Sequence, residues 1–458
     1  MAFVLPHRII YVAFLYFGGI RMSKRENFKS SRGFILSCVG AAIGLGNIWM
    51  FPYRMGSNGG AVFLIPYLFF VLVLGTTGLI TEFSFGRMFG RGNLESTKIA
   101  FKKKGLVGGK LIGIIPVLGL FGIFMFYNVV VGWILKYFFI SASGEFKNVD
   151  LPKYFEGFAG SPETIIWNGL AVFITVLIVC FGVVKGIEKI NKIIMPMMFI
   201  ILLLLAIRSL TLPGAIEGVK FLLVPKWEYL LRLETWVNAL GQAFFTVSLT
   251  GCCLVVYGSY TPKNFNIPRT AIYTAIFDTL AALLSGFVIM PAVFACGLDP
   301  LAGPPLLFIT VPTIFSKIPG GQILAAFFFF SVFLAAISSS IAMLEGPCEA
   351  LMSQIKISRK KCVTLVAIIG FILSIPLDLE MNVFNNFTNF ITIILSPIGA
   401  LITMIVFYYV LNKKDVLDEI NNGGSKKLGD KFYYFAKYGF VSITIIIIIL
   451  GIILGGIG

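Results

Sequence analysis

The feature that most limits what this chain can become is a succession of apolar runs, each near the ~20 residues that a helix needs to cross a bilayer. Eleven can be drawn, at roughly 33–54, 60–86, 111–140, 164–184, 192–210, 236–259, 268–296, 322–350, 362–378, 384–411 and 433–455. Of the 458 residues 58% are hydrophobic and 13% charged, which indicates an all-α polytopic protein embedded in the lipid bilayer. The formal charge of +16 does not imply a nucleic-acid partner, because the basic residues occupy alternate loops instead of one stripe. Arg21, Lys24, Arg25, Lys29 and Arg32 precede the first run, and Arg87 through Lys110 follow the second. Lys185 to Lys192, Lys263 with Arg269, Lys356 to Lys361 and Lys413 to Lys437 continue the alternation. The intervening loops, such as 145–163 and 378–380, are mixed or acidic. Positive charge stays in the cytoplasm, so the N-terminus is expected there and the C-terminus on the outer side.

Several chemistries drop out early. A single histidine, His7, leaves no His/Cys metal centre. Cys38, Cys180, Cys252, Cys253, Cys296, Cys348 and Cys362 lie in or beside apolar runs and are read as small buried hydrophobes, not a disulfide framework. No nucleophile–base pair or phosphate loop suggests an enzyme. Residues 1–20 are apolar but interrupted by Pro6, His7 and Arg8. They fit a membrane-surface or signal-like segment, or an upstream extension before a start at Met22. Pro304 to Lys317 is expected to form a re-entrant or surface hairpin.

Within the first run, Gly40 to Pro52 reads GAAIGLGNIWMFP, with three glycines, Asn47 and a proline in a segment meant to cross lipid. Glycine costs ~1 kcal/mol and proline ~3 in a helix interior. A helix can break at this depth only where its freed N–H and C=O groups find partners in protein or in a polar cavity. The sixth run repeats the oddity, mixing Gln242, Thr246, Ser248, Thr250 and Gly251 into Gln242–Tyr260. Runs one and six hold matching places in two five-span units, 31–210 and 211–411. They are flanked by an N-terminal segment, 1–30, and by a loop with the eleventh helix, 412–458. Five is odd, so the second unit is inverted relative to the first: a 5+5 inverted repeat with interrupted helices 1 and 6. Such pairs mark the midplane site of secondary transporters. Exposed N–H groups suit a carboxylate, and exposed carbonyls suit a hard cation.

GAAIGLGNIWMFPY, followed by NGGAVFLIPY, TEFSFGR, FYNVVVGW (126–133), GQAFFTVSL (241–249), FDTLAALLSG (277–286) and AAISSSIAMLE (335–345), resembles the neurotransmitter:sodium symporter family, bacterial branch. The likeness runs from about Ser31 to the end of the chain. It implies a sodium-coupled importer of an amino acid, working by alternating access in a bacterial inner membrane, with a homodimer as an open assembly. Two sodium sites are implied. The first would use the carbonyl of Ala42, the side chains of Asn47, Thr246 and Asp278, and the substrate's own carboxylate. The second would use the carbonyls of Gly40, Ile43 and Ala335 with the hydroxyls of Ser338 and Ser339. Tyr127 with the N–H groups of Leu45 and Gly46 would bind the substrate carboxylate, and Phe245 would cover it. Ser248 and Ala42 would face the ammonium, Thr246 would also count among the substrate-binding residues, and Ile123, Gly251, Ser339 and Met343 would line the side-chain pocket. On residue type alone, Ser338 and Ser339 equally suit back-bonding within their own helix.

The chain also departs from the family pattern. Asp278 stands where many relatives carry asparagine, which leads to the expectation of transport without chloride. Met50 replaces a usual arginine, and no acid lies between Met381 and Tyr408, so the charged outer gate is missing from both sides. Gly251 replaces a bulky residue, which is expected to enlarge the pocket for a hydrophobic or aromatic substrate such as tyrosine. Glu82 and Glu345 are read as paired structural anchors, and Arg25, Phe28 and Tyr260 as parts of an inner gate. The competing functions are a sodium-independent amino-acid carrier or exchanger, a channel, and a non-transporting sensor of the same fold.

Overall fold

The computed structural model describes residues 26–299, 307–424 and 426–454, and these are helical throughout, without a strand. The principal helices are α1 (Ser31–Ala42), α2 (Gly46–Ser57), α3 (Gly60–Phe89), α4 (Gly109–Ser143), α5 (Pro162–Cys180) and α6 (Val183–Leu210). They continue as α7 (Leu233–Thr246), α8 (Cys253–Ser259), α9 (Ile267–Ala295), α10 (Gly321–Gln354), α11 (Arg359–Leu379), α12 (Met381–Val410) and α13 (Asp430–Leu454). Each expected apolar run coincides with one of these helices or with a pair. The number of continuous spans, however, is smaller than eleven. Among the described residues nine helices are long and apolar enough to cross a membrane, or ten when α1 and α2, bent by 73°, are taken as one. The expected sixth run is carried by α7 and α8, neither long enough to span alone, on either side of non-helical residues 247–252. The expected segment 1–20 and the first part of the hairpin at Pro304 lie outside the described residues. The later part is a short helix, Thr310–Lys317, packed against α9 and α10.

Both breaks have local causes. At the first, Ile43 leaves the helix with ψ 117°, and α2 restarts in a wide π-turn over Gly46–Met50. At the second, Ser248 has φ +54°, the one positive value at a non-glycine among the described residues, and Gly251 has φ +73°. The surrounding helices hold the breaks together. α4 runs along α10 and α5, α9 lies against α6, α1 and α3, and α10 closes on α1. Every side chain between Phe328 and Ser340 on α10 that meets this centre is buried, from Phe328 through Ala335 to Ser340.

Two ends of the bundle differ. The end that carries Phe28, Arg87, Tyr260 and Arg359, called the basal face below, is tightly packed. Phe28 is 2% exposed, its N–H donates to the Tyr260 carbonyl at 2.9 Å, and its ring lies against Phe34 and Tyr257. Below it, buried Glu345 accepts from the Tyr260 hydroxyl at 2.6 Å and pairs with Arg359 at 2.5 Å. Glu345 therefore anchors the basal face. Glu82 instead accepts from the Gly251 N–H at the second break, so the two acids serve different elements and are not a pair.

A candidate cation and substrate site at the two helix breaks

Asn47 begins the second half of the first broken helix and is 1% exposed. Its Oδ1 accepts from the Gly44 N–H at 3.0 Å, which satisfies one of the amides freed by the break. Its Nδ2 donates to Thr246 Oγ1 at 2.8 Å, to Asp278 Oδ1 at 2.8 Å and to the Asp278 carbonyl at 3.2 Å. Thr246 Oγ1 in turn donates to Asp278 Oδ2 at 2.7 Å. Residues from α2, α7 and α9 thus meet in one buried knot, with Asp278 fully enclosed and no basic side chain among its hydrogen-bond partners. An amide and a carboxylate at this depth are expensive to bury unless they serve an ion or a substrate. Ala42, the last residue of α1, lines the cavity beside them.

A second cluster lies between α1 and α10. Ser338 Oγ reaches the Gly40 carbonyl at 2.7 Å and its own-helix Ala335 carbonyl at 2.8 Å. Ser339 Oγ reaches the Ile43 carbonyl at 2.8 Å and that of Gly40 at 3.2 Å. The back-bond that residue type allows is therefore present for Ser338, but both hydroxyls also cross to the broken helix. Three carbonyls and two hydroxyls converge, all neutral. Among the described residues no group of three or more His, Cys, Asp or Glu side chains is placed to hold a metal. Neutral oxygens with at most one carboxylate suit a monovalent hard cation better than calcium, which draws on several carboxylates, or zinc, which takes nitrogen and sulfur.

Between the clusters opens a cavity of about 320 Å³, within the range of small-molecule sites. Of the positions expected to bind substrate, Ala42, Leu45, Gly46, Ile123, Tyr127, Phe245, Thr246, Ser248, Ser339 and Met343 line it. The Tyr127 hydroxyl is buried without a hydrogen-bond partner, and a Cβ placed on Gly44 would stand 3.0 Å from it. It therefore faces the unwound residues between α1 and α2. Phe245 is 41% exposed, with its ring against Gly46, and Met50 with Phe384 and Asn389 of α12 lines the wider part beyond it. The cavity thus reaches away from the packed basal face. Ser248 lines the cavity too, but its hydroxyl donates to the Ala41 carbonyl at 3.0 Å.

Gly251 departs from expectation. It does not line the cavity; a Cβ there would stand 2.1 Å from the Gly399 carbonyl oxygen on α12. Its N–H donates to Glu82 Oε1 at 2.8 Å, and its carbonyl accepts from Thr403 Oγ1 at 2.9 Å and from Asn93 Nδ2. Glycine stands there for its φ and for the close approach of α12, and its missing side chain does not enlarge the cavity as expected. Sequence reasoning also passed over Gln242, which appeared only as a polar interruption yet donates to the Gly46 carbonyl at 3.2 Å. Tyr67, fully buried with an unpartnered hydroxyl, gave no signal in an apolar run.

Two half-helices that break side by side around a closed-bottomed cavity, with oxygen clusters on each flank, define a secondary transporter, not an enzyme. A profile of the sodium:neurotransmitter symporter family matches residues 25–150 and 159–456. A relative described as an uncharacterized sodium-dependent transporter, YhdH of Bacillus subtilis, is 36% identical and aligns over 94% of this chain and 98% of its own. A sodium-dependent transporter of Methanocaldococcus jannaschii, MJ1319, is 30% identical over 90% of this chain and 87% of its own. The crystal structure of MhsT in complex with L-phenylalanine superposes with a TM-score of 0.82 at 35% identity, covering 93% of this chain and 99% of the other. The chain belongs to the sodium:neurotransmitter symporter family, as its motifs anticipated, and is a sodium-dependent, multi-pass membrane transporter.

Proposed function

We propose that this protein couples sodium entry to import of an amino acid with a hydrophobic or aromatic side chain, by alternating access and without chloride. The observation that carries the reading is the knot of Asn47, Thr246 and Asp278 beside a cavity into which the Tyr127 hydroxyl points without a partner. The substrate carboxylate takes the Tyr127 hydroxyl and the N–H groups at the first break. Its other face meets a sodium ion held by the Ala42 carbonyl, Asn47, Thr246 and Asp278. Each ligand then raises the affinity of the other by the same factor, which is what coupling requires. A second sodium between Ser338, Ser339 and the Gly40, Ile43 and Ala335 carbonyls ties α1 to α10. Asp278 places a carboxylate next to the first ion, and ionised beside sodium it balances that charge without a mobile anion. The apolar walls at Ile123 and Met343, and the phenylalanine in the related MhsT complex, support a large apolar side chain. The basal face is assigned to the cytoplasm, in keeping with the basic loops it gathers.

The test is uptake into proteoliposomes, screened against the twenty amino acids under an inward sodium gradient. Uptake that persists when choline replaces sodium would refute coupling. Uptake that collapses when gluconate replaces chloride would refute chloride independence alone.

A further inference from the structure

One polar side chain beside the second oxygen cluster belongs to neither expected set. Asn191 sits within α6, which packs against both α1 and α10. It is fully buried. Its Nδ2 donates to the Ile187 carbonyl, one turn earlier on its own helix, at 3.0 Å. That bond fixes which way the amide is turned and sends Oδ1 outward from α6, where it has no hydrogen-bond partner. What it faces is Gly40. A Cβ built on Gly40 would stand 2.5 Å from Asn191 Oδ1 and 3.2 Å from Ser338 Oγ. The residue that offers its carbonyl to Ser338 and Ser339 therefore has an orphaned amide oxygen pressed against its α-carbon. A side chain at residue 40 would have to displace that oxygen.

Nearby charges do not account for the orphan. Lys192 pairs with Glu188 at 2.6 Å. Glu188 also accepts from the Lys29 N–H and from Ser30 Oγ, both at 2.8 Å. Ser30 caps the start of α1, so Glu188 staples the basal end of α6 to that of α1 and holds Asn191 level with Gly40. A buried acceptor with no donor costs stability, and in native proteins such groups mark an unseen water or ion. The neighbours here are Gly40 and Ser338, two members of the uncharged oxygen cluster that Ile43, Ala335 and Ser339 complete.

We infer that Asn191 supplies a further neutral oxygen to the second sodium site, so that α6 as well as α1 and α10 binds the ion. This rests on the sodium reading above, and it adds a third helix to that site. A ligand from α6 couples ion occupancy to the packing of α6 on α1, so loss of the ion loosens that contact as well as the one with α10.

The experiment uses the purified full-length protein in detergent without amino acid, and reads thermal stabilisation and binding of radioactive sodium against sodium concentration, with choline as the balancing cation. Asn191→Leu should raise the half-saturating sodium concentration roughly tenfold, the lower end of what losing an oriented metal-site partner costs. Asn191→Asp keeps the oxygen and adds charge, so it should bind sodium at least as tightly as the wild type, and it still decides the matter should the leucine variant not fold. Amino-acid affinity measured at saturating sodium should stay within about twofold, since Asn191 is not among the residues that line the substrate cavity and saturating sodium restores occupancy. The inference is overturned if Asn191→Leu keeps wild-type sodium affinity, or if Asn191→Asp weakens sodium as much as leucine does. A wild-type protein that sodium does not stabilise over choline would overturn the sodium reading beneath it instead.

Discussion

Asn47 ties together a helix break, a threonine at the end of α7 and a buried carboxylate, so its removal strands Asp278 without two of its contacts. Asn47→Ala and Thr246→Val should each abolish sodium-driven uptake in proteoliposomes while the protein still inserts and purifies. The stranded group costs about 1–3 kcal/mol, more when charged. Asp278→Asn removes the fixed charge but keeps an oxygen. That variant should regain part of its uptake only when chloride is present, and uptake equal in chloride and gluconate would refute the charge-balance argument. Asn47 and Asp278 were legible in the sequence because an amide or carboxylate inside an apolar run needs a reason. Asn191 was not, because near the basic end of α6 an asparagine is unremarkable until Gly40 is seen against it. The serines stood between these cases: residue type allowed a simple back-bond, and only the approach of α1 shows that Ser338 and Ser339 also cross between helices.

Helix breaks show most clearly where local sequence and tertiary packing share the work. Glycine and proline penalties located the first break and the general place of the second. The role of Gly251 is not legible in the sequence, since a side-chain deletion looks the same there whether it empties a pocket or admits a neighbouring backbone. Here it admits Gly399, and Glu82, Asn93 and Thr403 then grip both ends of the Gly251 peptide. Gly251→Ala combines a positive φ with a clash against backbone, so it should destabilise the protein by about 2 kcal/mol or more. The check is the melting temperature of the purified protein, and an unchanged value with altered substrate preference would restore the pocket explanation. Ser248 also holds a left-handed conformation, and its hydroxyl is committed to Ala41, so Ser248→Gly should cost less than Ser248→Val.

Over the whole bundle, the basal latch decides which side the cavity faces. Phe28, Tyr260, Glu345 and Arg359 close one end while Phe245 stands exposed toward the other. Arg359→Ala leaves Glu345 buried without its cation and should favour opening of the basal face. Cys38, buried and absent from the cavity lining, then becomes a reporter. Thiol labelling should quicken roughly tenfold, the factor that ~1.4 kcal/mol of latch energy gives. Unchanged labelling would show that the aromatic packing alone holds the face shut. The succession of apolar runs and the alternation of basic loops made this architecture readable, because lipid allows so few solutions. The two interrupted runs were readable as well, but not that the second break would leave residues 247–252 outside any helix. The basal face also limits how the α8 half of the second broken helix can travel. Arg87, at the end of α3, accepts no slack: its guanidinium holds Glu419 and the carbonyls of Phe265, Glu419 and Asn422. The chain leaving α8 is thereby moored from Lys263 onward, since that residue's carbonyl also meets the guanidinium and its Nζ pairs with Glu419, so any swing of α8 must be absorbed within residues 260–262. That stretch is a leash of fixed length, and it sets the arc through which the basal door can turn.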